Sequence, residues 1–172
     1  MRILAICGSL QASSGNLALL RLAANVMPTD VDYEIGDLLR HLPQFDPDLE
    51  RNGHAPDAVV ALRTAVSNAD ALLIASPEYG HSLPGSLKNA SDWMIGTGEM
   101  EGAIVGITAS VVHPARGRRG LDALLLTLAA MSAQVVGGTS IARGDSERAQ
   151  VAALVDAVVE AVRARAASTV EP

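Results

Sequence analysis

One cysteine in 172 residues leaves nothing to build a disulfide or a thiolate metal cluster from. Aromatics are nearly absent as well. Tyr33, Phe45, Tyr79 and Trp93 are 2% of a chain that is 49% hydrophobic, so its core must be aliphatic. Positive charge is scarce: 13 Lys and Arg against 19 Asp and Glu give a net charge of −6. That balance excludes nucleic acid as an expected partner, because a polyanion needs a clustered basic surface. The single basic run, Arg116-Gly117-Arg118-Arg119, is too short for a duplex but suits a small anion. No apolar run approaches the ~18 residues of a membrane span, and no basic flank with a cleavage site precedes the first apolar run. We expect no membrane partner, a cytoplasmic protein, and one domain over residues 1–172.

What the sequence does contain is an alternation of strand and helix patterns. An apolar run at 2–7 leads to a helical pattern at 17–26 whose Leu17, Leu20, Ala24 and Met27 recur at helical spacing. A second strand is expected at 31–36, then an irregular connection over 37–56 in which His41 and His54 read as solvated loop histidines. A helix at 57–69 with Val60, Ala61 and Ala65 on one face precedes the continuous apolar run 71–75, as suits a central strand covered on both faces. A further helix (86–95), a strand within 102–110, a loop (111–120), a helix (121–131), a strand interrupted by Gly137-Gly138 (134–141) and a last helix (146–166) follow. This alternation predicts an α/β fold with a single doubly wound, five-stranded parallel sheet, for which we take the strand order 2-1-3-4-5. Ligands of such sheets collect outside the carboxyl ends of the strands, near the switch in strand order. The loops at 8–16, 76–85 and 111–120 then become neighbours.

The first of these loops, Gly8-Ser9-Leu10-Gln11-Ala12-Ser13-Ser14-Gly15-Asn16, lies between a buried strand and a helix start, where free N–H groups and the helix dipole favour an anion. It lacks the lysine of a Walker loop, and Leu10 and Ser13 stand where a dinucleotide fingerprint needs glycine. Cys7 has Ser13, not arginine, six positions on, so it reads as a small buried residue and not as a phosphatase nucleophile. A loop of hydroxyls and amides that binds one terminal monophosphate remains, and FMN fits it best, although ordinary turn and N-cap chemistry explains the same residues.

Two segments resemble the NADPH-dependent FMN reductases of the flavodoxin-like fold, a family of quinone, azo-dye and chromate reductases. Gly8-Ser9-Leu10-x-x-x-Ser14-x-Asn16 is similar to the family's phosphate loop. Pro77-Glu78-Tyr79-x-x-Ser82-x-Pro84-Gly85-x-Leu87-Lys88-Asn89-Ala90-x-Asp92-Trp93 is similar to its flavin-ring loop and following helix. The resemblance implies that Ser9, Ser14 and Asn16 hold the FMN phosphate, with Gln11 beside it at a position commonly arginine in the family. It implies that Pro77, Glu78, Tyr79, Gly80 and Ser82 line the ring, and that Val112, His113, Arg119 and Gly120 approach it from the other side. Asparagine is usual where Gly80 stands. Loss of Ser14 or Asn16 is expected to weaken FMN binding and spare the fold.

The resemblance further implies a flavin that carries hydride from NADPH or NADH to a small-molecule electron acceptor in a ping-pong cycle, with no catalytic side chain and no metal. Glu78 is expected to orient its loop, Asp92 to pair on its helix, and Trp93 to sit in the core or an interface. A homodimer or homotetramer is implied; the apolar excess of Leu87, Ala90, Met94 and Ile95 on one helix and of Leu121, Leu124, Leu125, Leu128 and Met131 on the next suggests a surface for it, the alternative being that these side chains are buried within the monomer. Two alternatives stay open: a flavodoxin-type electron carrier for a protein partner, and a fold member that no longer holds flavin.

Overall fold

The structure is a computed structural model and describes residues 1–51, 55–113 and 116–168. His54 and residues 114–115 of the fourth-strand loop lie outside the described residues. Strands β1 (Arg2–Cys7), β2 (Asp32–Gly36), β3 (Ala71–Ala75), β4 (Ile104–Val111) and β5 (Gln134–Ala142) form one sheet in the order β2-β1-β3-β4-β5. Every neighbouring pair is parallel, as expected from the alternation. Between them run α1 (Gly15–Ala24), α2 (Pro47–Arg51), α3 (Asp57–Ser67), α4 (Gly85–Met94) and α5 (Arg118–Ala130), with α6 (Glu147–Ser168) last.

Side chains alternate across a strand, so each central strand feeds two cores. Ile3, Ala5 and Leu73 pack on one face with Leu19 and Leu20 of α1 and Val151, Val155 and Val158 of α6. Leu4, Ile6, Leu72 and Ile74 pack on the other with Leu62 of α3, Leu87 and Trp93 of α4 and Leu124 of α5. The break read at Gly137-Gly138 is a one-residue shift of register. Val105 pairs Val135 but Gly106 pairs Gly137, which leaves Val136 as the extra residue of a bulge in β5.

Three sequence expectations are corrected here. The buried stripe of α1 is Asn16, Leu19, Leu20 and Ala23, not Leu17, Leu20, Ala24 and Met27. In α3 the buried face is Val59, Leu62 and Val66, and Val60 is half exposed. In a helix rich in alanine and valine, apolar residues occupy most faces, and composition alone does not single out the one that meets the sheet. The connection 37–56 also contains a short helix, α2, and it is pinned rather than loose. Asn89 accepts from the Phe45 N–H (2.8 Å) and donates to the Pro43 carbonyl (2.8 Å), to which Trp93 Nε1 also donates (2.9 Å). Phe45 meets the Trp93 ring edge-on at 5.0 Å. Trp93 is thus core, and Asn89 secures the connection instead of reaching a ligand site.

Candidate functional site

The sheet order places the carboxyl ends of β1, β3 and β4 side by side, and short hydrogen bonds hold the loops that leave them. Gly8 N–H donates to the Ala75 carbonyl and Ser76 N–H to the Thr108 carbonyl, each at 2.8 Å. Ser86 Oγ donates to the Gly8 carbonyl (3.1 Å), tying the first turn of α4 to the loop after β1.

In that loop Ser14 is the N-cap of α1, its hydroxyl accepting from the Asn16 N–H at 3.2 Å. Ser9 Oγ accepts from the Gln11 N–H at 3.3 Å. The backbone N–H groups of Ser9, Ala12, Ser13 and Gly15 have no partner among the described residues. Four open donors around a helix start suit a phosphate group, which is the fit expected of an FMN phosphate loop. Asn16 is buried and also holds the fold together, because its Oδ1 accepts from the Ser110 N–H at the end of β4 (2.8 Å). The expectation that loss of Ser14 or Asn16 would spare the fold is therefore corrected, since one caps α1 and the other bridges α1 to the sheet.

Ser14 and Asn16 meet at the start of α1, and Ser9 shares a cleft with Gln11. Gln11 is exposed, donates to Ser13 Oγ (3.2 Å), and lines a cleft of about 300 Å3 toward β2 with Cys7, Arg21 and Arg40. Burial pushes the Cys7 thiol pKa up, opposed by its bond to the Ser9 carbonyl (3.4 Å).

The second loop turns tightly. Tyr79 and Ser82 exchange two backbone hydrogen bonds at 3.0 Å, and both central residues have positive φ, Gly80 at 56° and His81 at 63°. Glycine takes that conformation freely, whereas His81 holds it at a cost of about 1 kcal/mol. Glu78 orients the loop as expected. Its Oε2 accepts from the Gly120 N–H at 3.1 Å in the first turn of α5, and its Oε1 lies 3.2 Å from His81 Nδ1. The Gly120 N–H, and His81 after it, hold the Glu78 carboxyl below the usual carboxylate range.

Between this loop and the end of β4 lies a cleft of about 260 Å3, lined by Pro77, Glu78, Ala109, Ser110, Val111, Val112, Arg116 and Gly117. The loops after β1, β3 and β4 thus stand at one end of the sheet. Tyr79 is 55% exposed, and Val112, His113 and Arg119 are exposed, while Arg118 faces Asp122 at 3.8 Å. Asp92 pairs with Lys88 on α4, as expected. Ser110 was not singled out by sequence, and Arg116 and Gly117 only as part of a basic run suited to a small anion. The strand-end rule marks their loop, but their meeting with Pro77 and Asn16 follows only from the sheet order. Among the described residues no cluster of His, Cys, Asp and Glu is placed to hold a metal, and no helix is long and apolar enough to cross a membrane.

Comparison with known proteins agrees with this geometry. An NAD(P)H:quinone oxidoreductase of Solanum tuberosum is 41% identical over 96 residues, covering 54% of this chain and 49% of that one. The chain spans about half the length of the curated relatives first matched. Among solved structures, the flavoenzyme FerB, an NAD(P)H:(acceptor) oxidoreductase from Paracoccus denitrificans, superposes with a TM-score of 0.73 at 20% identity, over 92% of this chain and 97% of that one. Oxidised flavodoxin 1 from Bacillus cereus does so at 0.66 and 16%, over 93% and 98%, which makes the fold flavodoxin-like. The family model described as NADPH-dependent FMN reductase matches residues 1–147, and the chain belongs to that family.

Proposed function

We propose that the chain is a single FMN-binding unit acting as an NAD(P)H-dependent oxidoreductase, reducing a quinone, an azo compound or a similar small acceptor in a ping-pong cycle. The observation that carries this is the convergence of the open N–H groups at 9–15 with the cleft between Pro77, Glu78 and Ser110. When bound, FMN supplies the redox chemistry, taking a hydride from the nicotinamide and passing two electrons to the acceptor. The protein's part is position and charge. Ser9, Ser14 and the α1 amides hold the phosphate, Pro77 and Glu78 wall the ring cleft, and Glu78, bound to Gly120, fixes the distance between its two sides. Open solvent above Tyr79 and Val112 lets nicotinamide and acceptor use one face in turn. We further propose a homo-oligomer, built on apolar side chains that the fold leaves outside.

The test is to reconstitute the purified protein with FMN and follow NADPH and NADH oxidation by a small quinone with no protein partner present. Parallel lines in double-reciprocal plots are expected. Turnover only after a partner protein is added would favour an electron carrier instead, and protein that stays colourless with FMN would favour a fold member without flavin.

A further inference from the structure

No residue from 8 to 16 carries a charge, so the donors of the phosphate loop are all neutral. A cation reaches it from an element outside the three expected loops. Arg143 follows β5, its backbone N–H donates to the Val111 carbonyl (3.2 Å), and its Nε lies 3.5 Å from Ser110 Oγ. The guanidinium then extends over the first turn of α1, so close that a Cβ on Gly15 would come 2.4 Å from Nη2 and 2.6 Å from Ser110 Oγ. Only a residue without a side chain leaves room for it.

Two features of this placement are unfavourable in the protein alone. Arg143 is exposed and, like Arg21, Arg119 and Arg148, has no carboxylate within ion-pair distance among the described residues. It also stands at the positive end of a helix dipole, where a cation is repelled. Both penalties reverse if a dianion lies between the α1 amides and the guanidinium, whose fork can give two parallel charge-assisted bonds.

We propose that Arg143 is a phosphate-binding residue of the flavin site, supplying from β5 the fixed cation that its loop lacks. The proposal rests on the FMN reading above. Its ligand is the terminal phosphate monoester and not the ring, so the test compares FMN with riboflavin, which lacks the phosphate. Apoprotein is titrated with each by fluorescence quenching, in wild type, Arg143→Gln and Arg143→Lys.

The Gln variant should bind FMN about 10- to 100-fold more weakly, as expected for loss of a charge-assisted pair. Its riboflavin affinity should be unchanged, and Lys should restore part of the loss. The melting temperature of the Gln apoprotein should equal or exceed that of wild type, since a repelled cation has been removed. Equal losses toward FMN and riboflavin, or a lower apoprotein melting temperature that explains the loss, would overturn the assignment. Wild type that prefers FMN to riboflavin, with a Gln variant indistinguishable from it, overturns this inference and leaves the FMN reading standing. Wild type that binds neither overturns both.

Discussion

Asn16 shows how one side chain serves both fold and site. With Oδ1 on the Ser110 N–H, its replacement by alanine strands a donor at the strand end, which costs about 1–3 kcal/mol. We expect Asn16→Ala to lower the apoprotein's melting temperature as well as its FMN affinity, a pairing that calorimetry and titration can check. Ser14→Ala should cost about 1 kcal/mol through the lost N-cap alone. Glu78 predicts a pH response. Its pKa is held below the unfolded value, so the bond to Gly120 contributes fully above the ordinary carboxylate range, and that contribution is lost as pH falls through the depressed folded value. The protection of the Gly120 amide against exchange, relative to its intrinsic rate, should therefore fall as pH drops below the ordinary carboxylate range. In Glu78→Gln that acid-dependent step should vanish; a persistent step would assign it to another group.

Helix α5 separates what a stripe of leucines can mean. Of the apolar excess on the two helices, Leu125 and Ile95 stay exposed, whereas Leu87, Ala90 and Met94 of α4 and Leu121, Leu124, Leu128 and Met131 in and beside α5 are buried within the monomer. Their excess over one stripe is absorbed by the sheet below and by α3 and α4 beside them. The apolar side chains left outside are Leu125 (44%), Leu126 (74%) and, just beyond α4, Ile95 (51%). Leu124→Asp should then unfold the chain by burying an unpaired charge. Leu126→Asp should leave the melting temperature within about 0.5 kcal/mol of wild type in free-energy terms. If α5 meets a second copy, the same variant halves the sedimenting mass. A wild type that sediments as a monomer at micromolar concentration removes the oligomer proposal.

For the molecule as a whole, ligand and stability are linked. A ligand that binds only the folded chain stabilises it by RT ln(1 + [L]/Kd), about 2.7 kcal/mol at a hundredfold excess over Kd. A chain of this size should then melt roughly 5–10 °C higher with FMN. Riboflavin at the same concentration should do much less, since the converging loops place most of their polar donors on the phosphate end. Scanning calorimetry with each ligand separates the two.

How far the sequence could be read depended on whether a feature is local. The alternation of strand and helix, the unbroken apolar run at 71–75 and the glycine break in β5 are set by neighbours along the chain, and they were sufficient for a doubly wound sheet of five parallel strands. The Pro77-Glu78-Tyr79 segment was legible for the same reason, since its turn residues and its family resemblance are contiguous. Contacts between residues far apart in sequence were not legible: Asn16 with Ser110, Glu78 with Gly120, and Arg143 over Gly15. Nothing in the immediate sequence of either partner announces the other. Which face of α3 or α5 is buried had the same fate, because alanine, valine and leucine surround these helices and only the sheet beneath selects a side. Local pattern determined the elements and their alternation; long-range packing decided the order of the sheet and which side chains meet at the ends of its strands.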